Sequence, residues 1–166
     1  TYLDKTIHFK HPIHNYGGAK YGNAYYWVFI LGIFSGLRTN EMAQMRLEDI
    51  KKESNIWFLH VEDSEQTNVK TANAIRKVPV HPQLMELGFI DHVTSLRKQR
   101  KDRLFWELTK TRDGYAKQLS RHFNEKYLRA VGVWERHVKV LYGSRHTVVN
   151  ALYQNKVGEN VIKSLV

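Results

Sequence analysis

Apolar residues run almost unbroken through "AYYWVFILGIF", residues 24–34, and give way at Gly36. A segment that is apolar nearly all round reads as a buried helix, with the glycine marking its end, so the pattern predicts a central helix over 24–37. "RTNEMAQMRLEDI" follows at once, with Thr39 or Asn40 placed to cap a short second helix whose apolar side is Met42, Met45 and Leu47. The period then drops to two. "NIWFLHVED" at 55–63 and "AIRKVPVH" at 74–81 alternate and are rich in strand formers. They predict antiparallel strands joined by a loop or a short further strand that contains Lys70. Helical spacing returns in "PQLMELGFIDHVTSLRKQR", where Ile90, Val93 and Leu96 share a side and Gly88 breaks the run. Tyr115, Leu119, Phe123, Tyr127 and Val131 recur at i+4 up to Gly132, a core-facing stripe. A last long helix from about Ser144 is expected to bury Val148, Val149 and Leu152, and a short one runs from about Glu159 to the end. The expectation is a mainly α chain with one small antiparallel β-sheet, an α+β fold.

The polar opening, with Pro12, Gly17 and Gly18, reads as a lead-in segment or linker over 1–22, ahead of one domain over 23–166. At 166 residues and 42% hydrophobic content the chain fits a single core. The apolar run at 24–34 is about half the roughly 20 residues needed to cross a bilayer, so no membrane partner is expected. Absence of cysteine excludes a disulfide framework and thiolate metal sites, and it is compatible with a reducing cytoplasm.

A net charge of +10 changes the picture more than any other global fact, because it favours a polyanionic partner, nucleic acid foremost. An anionic membrane surface would call for a basic amphipathic helix or a polybasic tail. The densest basic cluster is "SLRKQRKDRLF". It reads as a solvated helix face or as a surface that tracks phosphates, and Arg97, Lys98, Arg100 and Lys101 are the candidate DNA contacts.

"LYGSRHTVV" sets Arg145 and His146 where a polar turn becomes a helix. A helix start already carries about half a positive charge. Either both side chains reach into water, or an anion belongs there, since free N–H groups, the dipole and an arginine together make a phosphate site.

Three stretches now stand in order: "SGLRTNEMAQMRLEDI", "NVKTANAIRKVPVH" and "YGSRHTVVNAL". Over residues 26–166 they resemble the tyrosine recombinases, the phage-integrase family of site-specific DNA recombinases. Gly36, Leu37, Arg38 and Glu41 match the family's G-L-R-x-x-E box. Lys70 matches its sheet lysine, and Arg145, His146 and Thr147 match H-x-x-R-H-T.

The resemblance implies the catalytic-domain fold of that family and a metal-free, cofactor-free transesterification that cleaves and rejoins strands through a 3′-phosphotyrosyl link. It implies Arg38 and Arg145 as phosphate-gripping residues, Lys70 as general acid and Glu41 as a supporting group. Paired guanidinium N–H groups suit that grip in a way lysine cannot reproduce. The implied partners are double-stranded DNA at recombination sites and further protomers, as a dimer or tetramer on DNA. The implied location is cytoplasmic, at a bacterial nucleoid, with a phage or mobile element as the source.

Two departures qualify it. Where the family has histidine, three residues before the second arginine, this chain has Tyr142. A phenol with a reference pKa near 10 is a poor base at neutral pH, so Tyr142 is expected to donate a hydrogen bond to phosphate or to a neighbour. His146 is turned about 100° from Arg145 on the helix and is expected to support by packing or capping. The second departure is that "NKVGENVIKSLV" stops short of the family's G-H box and nucleophilic tyrosine, so the expectation is a domain lacking its tyrosine-bearing segment. A non-catalytic DNA-binding module and a type IB topoisomerase-like enzyme are the alternatives.

Overall fold

The computed structural model describes residues 22–62, 75–130, 132, 135 and 141–166. Its axle is helix α1, Gly22–Ser35, which buries Ala24, Trp27, Val28, Ile30 and Leu31 around most of its circumference. Tyr25 stacks on His122 with ring centroids 3.6 Å apart, and Phe29 meets Phe123 at 5.0 Å. The helix stops because Gly36 takes φ +65°, a left-handed conformation that costs glycine little.

Helix α2, Thr39–Gln44, follows after a three-residue corner, and its N-cap is Arg38, just ahead of the expected Thr39 or Asn40. The reason lies in two side chains. Glu41 reaches back to accept the Arg38 backbone N–H at 2.7 Å, half of a capping box. Asn40 is engaged elsewhere, accepting from the Ala116 N–H at 3.2 Å.

A 3₁₀ turn at Leu47–Asp49 leads into a three-stranded antiparallel sheet of order β1-β2-β3: β1 Ile50–Glu53, β2 Ile56–Val61 and β3 Arg76–Pro79. The last two are the expected strands. The first was not expected, and it joins β2 through Ser54 and Asn55, both at positive φ, as a two-residue hairpin turn requires. Ile50, Leu59 and Val78 lie in register across the sheet and are all buried, which sets its inner face. The segment expected to carry Lys70 lies outside the described residues, as do residues 1–21 of the expected lead-in segment.

Helices α3, Pro82–Glu86, and α4, Phe89–Lys98, are divided by Gly88 at φ +83°. Phe89, Val93 and Leu96 turn inward from α4.

The i+4 stripe forms helix α5, Ala116–His122, a wide turn at Phe123–Tyr127 and helix α6, Leu128–Ala130. Residues spaced strictly by four drift about 40° per step around an α-helix. A turn closed by i→i+5 bonds offsets that drift, so Leu119 and Phe123 both stay buried and Phe123 stacks on Tyr127 at 5.1 Å.

Helices α7, Gly143–Gln154, and α8, Glu159–Leu165, close the fold. Here Val148, Val149 and Leu152 are half-buried rather than buried, because α7 lies on the surface of α1 with no further layer over it among the described residues. No helix among the described residues is long and apolar enough to cross a membrane.

Candidate active site

The end of α1, the start of α2 and the start of α7 meet at one corner. Gly32 keeps this contact close: a Cβ there would lie 2.7 Å from Ser144 Oγ, so any other residue would force that hydroxyl to turn or α7 to shift. At that contact Arg145 extends across to α1 and its Nη1 donates to the Gly36 carbonyl at 2.8 Å. The guanidinium thus sits at the negative end of the α1 dipole. This accounts for an arginine at the positive start of α7, since one of its five N–H donors is anchored on the Gly36 carbonyl.

Arg38 stands nearby with its side chain 47% exposed, and its Nη1 donates to Glu41 Oε1 at 2.8 Å. Arg145 is half-buried. Burial first, and then the positive charge of Arg38, lower its pKa from the usual arginine value. The two guanidiniums are close enough to repel each other, an arrangement that an anion between them would relieve.

Behind them lies a group the sequence reading did not single out. Arg76, on β3, has a side chain only 5% exposed, and it grips Glu41 with two bonds: Nη2 to Oε2 at 2.7 Å and Nη1 to Oε1 at 3.2 Å. Its Nε donates to the Leu165 carbonyl at 3.1 Å. Glu41 is 7% exposed at its side chain. Burial would push its carboxyl up, but hydrogen bonds and charge from Arg76, then hydrogen bonds from Arg38, outweigh it and hold the group below the usual carboxylate range. Glu41 is therefore ionised and shared between Arg76 and Arg38. Among the described residues, three guanidiniums gather around this one carboxylate, so the corner is electropositive.

Tyr142 precedes α7 with its ring 47% exposed, and His146 sits edge-on to it at 5.3 Å, itself exposed. The two rings lie at the rim of the arginine corner. Arg38, Glu41 and Arg145 are thus brought together, with Tyr142 and His146 beside them, while Lys70 lies outside the described residues.

The basic cluster is divided. Arg97 is spent inward, donating to the Leu47 and Ile50 carbonyls at 2.7 and 2.6 Å and tying α4 to the sheet. Lys101 lies over the exposed Trp106 ring at 3.6 Å, Arg103 donates to the Leu108 carbonyl, and Lys98 and Arg100 face solvent. No group of three or more His, Asp or Glu among the described residues could hold a metal.

No family model and no curated protein matches the chain. Solved structures do. XerH site-specific recombinase bound to its difH substrate, in a pre-cleavage complex, aligns with TM-score 0.66 at 16% identity over 99% of this chain and 44% of its own. The Tn1549 transposon integrase in complex with transposon right end DNA aligns with TM-score 0.60 at 15% identity over 99% of this chain and 56% of its own. The chain spans about half the length of these structures. It has the fold of a tyrosine recombinase catalytic domain.

Proposed function

We propose that this chain is the catalytic domain of a site-specific DNA recombinase or integrase, which breaks and rejoins strands by transesterification through a 3′-phosphotyrosyl intermediate. The observation that carries the reading is the pair Arg38 and Arg145 at one corner, with the Glu41 carboxylate there shared between Arg38 and Arg76. A phosphodiester carries one negative charge and gains a second as the attacking oxygen adds. Arg145, together with Arg38, which shares the single Glu41 carboxylate with Arg76, therefore offers positive charge that complements the transition state better than the ground state, which is the condition for catalysis. In this reading Lys70 protonates the departing 5′ oxygen, Tyr142 donates a hydrogen bond to the phosphate, and His146 supports the Tyr142 ring. In the same reading a tyrosine hydroxyl is the attacking group. Lys98 and Arg100 contact the DNA backbone, and protomers assemble as a dimer or tetramer at two recombination sites.

A second reading, a DNA-binding module without catalysis, is favoured by Tyr142 standing in place of a histidine base. The test is covalent capture. The full reading frame is incubated with labelled duplexes recovered by binding from a random-sequence library, and label retained on protein in denaturing detergent is measured. An adduct that is lost on Arg145→Ala is expected; binding without any adduct rejects the catalytic reading in favour of the second. Site-independent relaxation of supercoiled plasmid would indicate a topoisomerase instead.

A further inference from the structure

Arg76 joins three elements with one side chain: it stands on β3, holds Glu41 of α2 with two bonds, and donates through Nε to the Leu165 carbonyl at the end of α8. Only a guanidinium can do this, because its planar fork presents donors in fixed directions, whereas an ammonium is a point donor on a flexible stem. The group is also almost wholly buried, where ionic contacts are little screened by solvent. Glu41 in turn receives Arg38 twice, at the backbone N–H and at Nη1. The chain leaving α8 is pinned beside this set, since Val166 packs within 3.1 Å of where a Cβ on Gly36 would lie, and Gly36 is the residue whose carbonyl anchors Arg145.

We propose that Arg76 is a positioning residue which fixes the end of α8 in register with the phosphate-gripping arginines. It touches no reacting atom. Through Glu41 it sets the direction of Arg38, and through Leu165 it holds the end of α8 beside Gly36, whose carbonyl anchors Arg145. The inference rests on the recombinase reading for its catalytic consequence, but the docking of α8 is measurable without it.

The test uses full-length protein carrying Arg76→Lys, which keeps the charge against Glu41 and loses the three-way fork. Three readouts are taken: binding to the library-selected duplexes, the single-turnover rate of adduct formation at saturating DNA, and amide hydrogen exchange by residue. DNA affinity within about threefold of wild type is expected, with adduct formation slower by about tenfold or more at saturation. Exchange should rise in α8 while α4, which Arg76 does not touch, stays protected. A rate effect that disappears at saturating DNA, or unchanged exchange in α8, overturns the proposal. If wild-type protein forms no adduct, the recombinase reading fails, and α8 exchange still decides whether Arg76 holds that helix. Arg76→Gln, which keeps donors and loses charge, serves as the second variant; undiminished α8 protection in both variants overturns the clamp.

Discussion

Replacing Glu41 by glutamine changes one oxygen to an amide nitrogen, keeps the volume and removes the carboxylate charge that Arg76 Nη1 and Nη2 hold. Breaking a buried pair by removing one partner costs about 3–5 kcal/mol, because the remaining charge is left uncompensated. Arg76 stays buried in the variant, and the new amide would also place a donor against guanidinium donors. For a domain of this size each kcal/mol lowers Tm by about 2–4 °C, so a fall on the order of 10 °C is expected at pH 7. The pH dependence gives a sharper check. The folded state holds the Glu41 carboxyl below its ordinary pKa of 4.5. Its contribution is therefore fully present above about pH 4.5 and is lost as pH falls through the folded value. Urea unfolding of wild type and Glu41→Gln at pH 7 and in the acid range measures both effects. The gap between the two proteins should narrow in acid. A gap below about 1 kcal/mol at pH 7, the range of an exposed ion pair, would refute the description of Glu41 as the buried anchor of the arginine cluster.

Gly32→Ala should displace α7 because its Cβ meets Ser144 Oγ. Misplacing a catalytic group by about 1 Å can cost about 100-fold, so adduct formation should drop steeply, with recovery in Gly32→Ala/Ser144→Ala, where that oxygen is gone. No recovery would mean that the close approach is not what limits α7. His92 stacks on Trp27 at 5.4 Å and burial lowers its pKa from 6.5. A buried neutral histidine makes stability fall as pH drops below about 6.5. His92→Phe should therefore lose less stability than wild type between pH 7 and pH 5.5 in thermal melts, and an unchanged loss would contradict this. Removing Lys98 and Arg100 should lower the slope of log affinity against log salt by about one unit per lost phosphate contact, whereas Arg97→Ala should act mainly on stability, since its donors serve the Leu47 and Ile50 carbonyls.

What the chain's pattern made legible follows from how strongly each segment is buried. α1 is apolar all round because it is the axle, and Gly36 ends it where the backbone needs positive φ. β1 escaped notice because "IKKE" is a charged edge strand: only Ile50 turns inward, and charges on an edge guard against stray pairing. Its turn, Ser54 and Asn55, lacks the glycine that signals such hairpins. The half-burial of Val148, Val149 and Leu152 was hidden for the opposite reason, since an apolar periodicity does not reveal how many layers will cover it.

In the site, Arg38 and Arg145 were visible through their boxes, but Arg76 was not, although a signal existed. In "AIRKVPVH" the residues alternating with Val78 and Val80 place Arg76 on the inward face of β3, and an arginine at a buried strand position calls for a carboxylate partner. Glu41 is that partner, 35 residues away, and the pairing became apparent only with the fold.

The central claim is that Arg38 and Arg145 act on a phosphate whose charge grows during reaction. Its most direct test compares, in the full-length protein, the loss of single-turnover cleavage with the loss of DNA affinity for Arg38→Ala and Arg145→Ala. Removing one preorganised donor of this kind typically lowers the rate by about 100- to 1,000-fold. A drop of that size, with affinity changed by less than about tenfold, is the result expected from two donors reserved for the transition state. Equal losses of cleavage and affinity would contradict the account and reduce the two arginines to ordinary backbone contacts.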